Sequence, residues 1–134
     1  LPPPLTNNIF ELYTKELASG LKNIQQNINA SQFGEARQIA LRIMQIYPHS
    51  PFIANLKAEL DYQCGFTMES KRLFEKIIDV WPHHIRAMNN LAAIEANTGN
   101  IERARSLLQK ILKIDPSNFD AITNLKEIEG LNLF

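Results

Sequence analysis

The sequence is short of almost everything that marks a disulfide-stapled, membrane-spanning or catalytic chain. It holds one cysteine, Cys64, so no intrachain disulfide can form and a cysteine-rich zinc module is excluded. Glycine is scarce, 5 in 134 residues, fewer than a Gly-rich phosphate loop or a turn-dense β-sandwich wants. Neither charge is in excess, since 14 Lys and Arg face 14 Asp and Glu. A general nucleic-acid binder needs a basic surplus to displace counterions, so no nucleic-acid partner is expected. No apolar run approaches the roughly 18 residues of a bilayer span, so no membrane insertion is expected. The Gly-x-Ser-x-Gly, HExxH and P-loop signatures are all missing. Pairs such as Glu59/Asp61 and Glu127/Glu129 are two residues apart and diverge on a helix, which makes a poor acid–base couple. The expectation is a chain with no catalytic residues, no metal site and no cofactor.

What is present fits one globular unit. At 134 residues, 45% hydrophobic and 21% charged, the chain is a single domain of ordinary composition. Leu1 stands first instead of methionine, so a chain processed or excised from something longer is expected, with a removed signal peptide left open. A lone cysteine suits a reducing cytosol, which slightly favours a cytoplasmic location, without forbidding the periplasm.

The prolines carry the organisation. Pro48, Pro82 and Pro116 recur at one constant interval, in the contexts Ile46-Tyr47-Pro48, Val80-Trp81-Pro82 and Ile114-Asp115-Pro116. Between them lie amphipathic helices: Ala36, Ile39, Ala40, Ile43, Met44 and Ile46 recur at three- and four-residue spacing. So do Leu73, Phe74, Ile77, Ile78 and Val80, and then Ala104, Leu107, Leu108, Ile111, Leu112 and Ile114. A single helix pair cannot bury both of its faces, so stacked pairs must supply one continuous core.

The unit Ile85–Asn118 resembles a tetratricopeptide repeat, whose period matches the proline interval. Counting Ile85 as position 1, Leu91 stands at 7, Ala92 at 8, Gly99 at 15, Ala104 at 20, Leu108 at 24, Ile111 at 27 and Pro116 at 32. Small Ala92 and Ala104 let paired helices cross closely, Gly99 ends the first helix in a left-handed conformation, and Pro116 stops the second. Pro51–His84 keeps Gly65, Phe74, Ile77 and Pro82, with Ser70 where alanine is usual. Its first-helix stripe, Ile53, Leu56 and Leu60, reads one residue out of phase. Leu17–Ser50 keeps Ala36 and Pro48 and matches best in its second helix. The expected organisation is a lead over residues 1–16, repeats over 17–50, 51–84 and 85–118, and a cap helix with an apolar tail over 119–134. The fold this implies is all-α, a right-handed superhelical solenoid of antiparallel helix pairs.

Both ends carry separate expectations. The stripe Ile9, Tyr13, Leu17, Leu21, Ile24 and Ile28 runs through Ser19-Gly20 and favours one long helix, with a break at Gly20 as the alternative. Its first half would overhang the stack and expose Ile9, Phe10, Tyr13 and Leu17, a patch suited to self-association or docking. The apolar tail with Leu131, Leu133 and Phe134 is expected to fold back on the last repeat or continue into a parent domain, with a partner contact or a homo-oligomer as the alternative. Ser117 or Asn118 is expected to cap the last helix, whose apolar positions are Ile122, Leu125 and Ile128.

The resemblance implies a concave face lined by first helices, at positions 2, 5, 6, 9, 12 and 13. Carried over, these are Phe52, Asn55, Glu59, Tyr62 and Gln63, then Arg86, Asn89, Asn90, Ala93 and Asn97, then Asp120, Thr123, Asn124 and Glu127. Asn90 and Asn124 share one position, and an asparagine amide can donate to and accept from a peptide backbone. Family members with such a ladder, like the O-GlcNAc transferase solenoid, bind extended peptides that way. The lysine–asparagine clamp of heat-shock co-chaperones is absent, since Asn55, Asn89 and Thr123 stand at its lysine position and Glu59, Ala93 and Glu127 at its asparagine position. His49 and His83, one repeat apart, stand about 10 Å from each other in such a stack, too far to share a zinc.

Nine basic residues, Arg37, Arg42, Lys71, Arg72, Lys76, Arg103, Arg105, Lys110 and Lys113, fall on the second helices against five acids. The groove is therefore expected to favour a neutral or basic segment over an acidic one. The expected function is a non-catalytic scaffold that binds a peptide segment or partner protein through the concave face. The alternatives are a self-assembling structural module and an accessory domain of a larger enzyme of the glycosyltransferase or methyltransferase type.

Overall fold

The interval between the prolines reappears in the helix ends. A computed structural model of the chain describes the backbone of residues 5–131 and the side chains of residues 15–130. After α1 (Leu5–Asn29), the second helices α2 (Phe33–Ile46), α4 (Thr67–Val80) and α6 (Ile101–Ile114) each begin one such interval after the last. The first helices α3 (Pro51–Gln63), α5 (Ile85–Asn97) and α7 (Phe119–Leu131) keep the same step. The described residues are helices and short turns, arranged as three antiparallel pairs closed by α7.

The turns repeat for stated reasons. Within each pair the chain reverses through a left-handed residue, Gly65 at φ 87° and Gly99 at φ 91°. In the first pair Ser31 takes that conformation at φ 58°, although a Cβ disfavours it. The same backbone closure follows in all three, from Gln32 N–H to Asn27 O, Phe66 N–H to Asp61 O and Asn100 N–H to Glu95 O. Between pairs, one capping position is filled by three residue types. Ser50 Oγ accepts from Ile53 N–H at 3.3 Å, His84 Nδ1 from Ala87 N–H at 3.1 Å, and Asn118 Oδ1 from Ala121 N–H at 2.9 Å.

α1 is one unbroken helix through Gly20. A Cβ at Gly20 would lie 2.6 Å from Ile43 Cδ1, so the glycine permits close approach of α1 to α2. Leu17, expected to stand exposed, is half-buried against the cluster that Ile24, Ala36, Ala40 and Ile43 build with Ile53 and Leu60. The reason is that α2 covers α1 as far back as Leu17. The side chains of Ile9, Phe10, Tyr13 and Leu131, and residues Leu133 and Phe134, lie outside the described part.

The second repeat is not out of phase. α3 and α5 start one repeat apart, and Ile53, Ala54, Ala58 and Leu60 are buried where Ala87, Met88, Ala92 and Ile94 are buried in α5. The apparent slip arises because Lys57 stands where α5 has Leu91. Lys57 is only 8% exposed and its ammonium meets Asp61 Oδ2 at 2.7 Å. Ser70, in the place of a small alanine, is also accounted for: its Oγ donates to Ala58 O at 2.7 Å, tying α4 to α3.

The core is divided. α1 and α2 form one cluster with Ile53 and Leu60, and a second runs from Ala54 through Phe74, Leu91 and Leu108 to Ile128. α3 packs on α5 and α5 on α7, but among the described residues no Cα of α1 comes within 8 Å of one in α3. The first pair is held through α2, and a cleft opens between α1 and α3.

Candidate partner-binding groove

That cleft is the upstream end of a groove along the first helices. A cavity of about 260 Å³ opens between Leu21, Ile24 and Gln25 of α1 and Phe52, Asn55 and Arg86. It shares Ile28 and Leu56 with a second cavity of about 350 Å³. This second cavity has Phe33, Leu60, Phe74 and Ile94 as an apolar floor and Glu59, Tyr62, Gln63 and Asn90 at its rim. Ala93, exposed, is common to the second cavity and to a third of about 130 Å³ that reaches Asn97, Asn124 and Glu127. Each of the three cavities combines apolar side chains with polar ones, the middle one being the most apolar.

Glu59 organises its middle. Asn55 Nδ2 donates to Glu59 Oε1 at 3.0 Å, Asn90 Nδ2 at 2.7 Å and Arg86 Nε at 3.2 Å. All three reach the same oxygen, and no donor among the described residues reaches Oε2. Asn90 Nδ2 also lies 3.3 Å from Asn55 Oδ1. Two of the residues carried over as ligand contacts, Asn55 and Asn90, therefore direct their amide donors to a third. Asn55 is buried at 3% exposure, while Glu59 and Asn90 are half-buried.

The remaining candidates divide. Asn97 Nδ2 donates to the Tyr62 hydroxyl at 3.3 Å, which bridges α3 and α5 across the groove. Asn124 and Glu127 face the third cavity and make no hydrogen bond within the described residues. Asn89 turns to the end of the stack, where its Nδ2 donates to Asn118 Oδ1 at 3.3 Å and supports the cap of α7. Thr123 is half-buried and lines none of the three cavities, and Asp120 is exposed beyond them.

The expected face omits the apolar contributors Leu21, Ile28, Phe33 and Leu56, and with them Gln25. Their signal is present in the sequence: Leu21, Gln25 and Ile28 stand one repeat before Asn55, Glu59 and Tyr62. The repeat register is weakest in the first unit, which hides that correspondence. His49 and His83 are exposed, and His84 serves as a helix cap.

Comparison with known proteins bears on this architecture. Residues 69–127 match a family described as the tetratricopeptide repeat. No curated protein matches the chain. Among solved structures, the first such domain of Spaghetti (RPAP3), bound to the HSP90 peptide SRMEEVD, is similar with a TM-score of 0.78 at 14% identity, covering 90% of this chain and 95% of that one. The second domain of human RPAP3, in complex with the HSP70 peptide SGPTIEEVD, has a TM-score of 0.75 at 14% identity, covering 87% and 98%. The Thermobaculum terrenum O-GlcNAc transferase has a TM-score of 0.75 at 18% identity over 87% of this chain and 22% of that one. With helix ends, turns and caps recurring once per repeat, the described residues have the fold of a tetratricopeptide-repeat solenoid, three helix pairs closed by α7, and residues 69–127 carry the family match.

Proposed function

We propose that the chain is a non-catalytic scaffold that holds an extended segment of a partner protein in its concave groove. The observation that carries this is the continuity of the groove across α1, α3, α5 and α7, with a carboxylate fixed at its centre. Glu59 is preorganised by Asn55, Asn90 and Arg86 through Oε1, which leaves Oε2 to accept from a ligand. An acceptor already held in place costs little to order on binding.

The lining states what the segment looks like. A bulky apolar side chain suits the cavity floored by Leu60, Phe74 and Ile94, and small or polar residues suit the stretch by Asn97, Asn124 and Glu127. Glu59, Asp120 and Glu127 outnumber Arg86 along the expected face, so a neutral or basic segment fits better than an acidic one. The similar RPAP3 domains are bound to peptides ending in EEVD. The lysine–asparagine clamp expected of co-chaperones is missing from this groove, which supports a different ligand class.

Ala93→Arg tests the reading, because Ala93 is exposed and lies at the junction of two cavities. The variant should fold as the wild type by circular dichroism and lose the partner recovered by the wild type in a pull-down. Undiminished recovery overturns a concave site.

A further inference from the structure

The opposite edge of the solenoid has its own periodic chemistry. Arg42, Lys76 and Lys110 occupy one position in successive repeats, and Ile46, Val80 and Ile114 follow each by four residues. Residues four apart on a helix share a face, so each second helix presents a cation beside an aliphatic side chain. The aliphatic side chains are 48%, 59% and 39% exposed. The three cations are exposed and have no ion pair among the described residues. Three other cations of the second helices bridge to neighbouring helices: Arg37 with Asp61, Lys71 with Glu95 and Arg103 with Glu75. Arg72 and Lys113 add further unpaired positive charge; beside Lys76 on α4, Glu75 is engaged by Arg103, which leaves exposed Asp79 as the acid without an ion pair among the described residues.

A cavity of about 470 Å³ interrupts this stripe between α2 and α4, larger than any in the concave groove. Met44, Ala54, Leu73 and Ile77 line its depth, Val80 and Trp81 form one wall, and Lys76 and His49 line it together with the turn at Pro48 and Ser50. At its base Ala54 stands where the next repeat has the larger Met88, which is 1% exposed. The repeat before has Gly20 at that position, beneath a more open cavity that Arg42 and Ile46 line.

We propose that this edge is a second docking surface, which takes an acidic segment carrying one bulky apolar residue. The apolar residue enters the cavity beside Trp81, and flanking carboxylates meet Lys76 and the cations one repeat to either side, Arg42 and Lys110. The occupant follows from charge complementarity: the bare charges of the stripe are mostly positive, whereas the concave groove leans acidic. The two surfaces select segments of opposite charge, so the solenoid can hold two different partners at once.

The test is fluorescence anisotropy with three labelled peptides, EDDFLEDE, EDDAAEDE and KRRFLKRK. EDDFLEDE should bind saturably, and the other two much more weakly. Ala54→Met, which copies the residue found one repeat on, should weaken EDDFLEDE about tenfold or more by removing the space for its apolar anchor. Lys76→Glu should weaken it as well, while Ala93→Arg should leave it unchanged. Val80→Ser, at an exposed site, gives an independent reading if Ala54→Met proves unfolded by circular dichroism. The proposal is overturned if EDDFLEDE does not bind, if EDDAAEDE binds equally well, or if Ala93→Arg abolishes binding. It is also overturned if Ala54→Met and Val80→Ser both keep full affinity, or if sedimentation shows the edge occupied by a second copy of the chain.

Discussion

Arg37 Nε donates to Asp61 Oδ1 at 2.6 Å, and one repeat later Lys71 reaches Glu95 from the corresponding position, at 2.9 Å. Each pair joins a second helix to the first helix of the next repeat. Asp61 is fully buried, with Lys57 on its other oxygen, and Arg37 lies over the Phe66 ring at 4.0 Å from its centre. Asn100 takes the other oxygen of Glu95. The third instance would be Arg105 with Glu129, but Arg105 pairs with Glu102 on its own helix. The ladder therefore ties the pairs at the two inner seams and lapses at the cap.

Removing the buried member of that ladder should be costly. Asp61→Ala leaves two cations, 18% and 10% exposed, without a counter-charge at the seam where the core divides. The expected loss is about 3–5 kcal/mol in urea unfolding. Glu95→Ala should cost less, because Lys71 is more exposed at 22% and keeps a bond to Thr98. Equal losses for the two would contradict the burial argument.

Gly20 and Ile43 should behave as a coupled pair. Gly20→Ala offers about 1 kcal/mol of helix propensity. Against that, the new Cβ meets Ile43 Cδ1 at 2.6 Å. Alone, the substitution should be neutral or destabilising. In an Ile43→Val background, which lacks that carbon, it should become stabilising. A double-mutant cycle by thermal unfolding should give a coupling of about 1 kcal/mol, and additivity would show that the two sites do not touch.

The turn residues make a reciprocal exchange. Ser31 is left-handed at φ 58° where the later repeats have Gly65 and Gly99. Ser31→Gly should relieve strain and raise stability by up to about 1 kcal/mol, while Gly99→Ser should cost about 1 kcal/mol. Calorimetric midpoints moving in opposite directions would agree with this, and a loss in both would not.

Glu59 separates structure from recognition. Glu59→Ala releases Asn55, buried at 3% exposure, and should cost about 1–3 kcal/mol. Glu59→Gln keeps an acceptor for the same three donors and should leave stability within about 1 kcal/mol. It nonetheless removes the charge at the groove's centre, so the recovered partner should be held more weakly. Unchanged recovery with Glu59→Gln would show that the carboxylate serves only the scaffold.

Much of this fold can be read from order along the chain. The prolines at 48, 82 and 116 mark the period, the left-handed Gly99 and the Asn118 cap are legible, and the apolar stripes give the helices. The ion-pair ladder is equally present as bases at 37 and 71 facing acids at 61 and 95, but only once the register of the second repeat is right. Lys57 in a leucine position obscures it. Reading by hydrophobicity misses a residue that is buried because its charge is paired.

The sequence by itself determined the helices, their ends and their constant step, because each depends on residues within one or two turns of one another. Only the tertiary structure decided which side chains meet across repeats. It gave the amide donors of Asn55 and Asn90 to Glu59, pressed Ile43 onto Gly20, opened the cleft between α1 and α3, and left a cavity beside Ala54. These features depend on the angles at which neighbouring pairs stack. Those angles are set by the summed packing of every side chain at a seam, which no local pattern encodes.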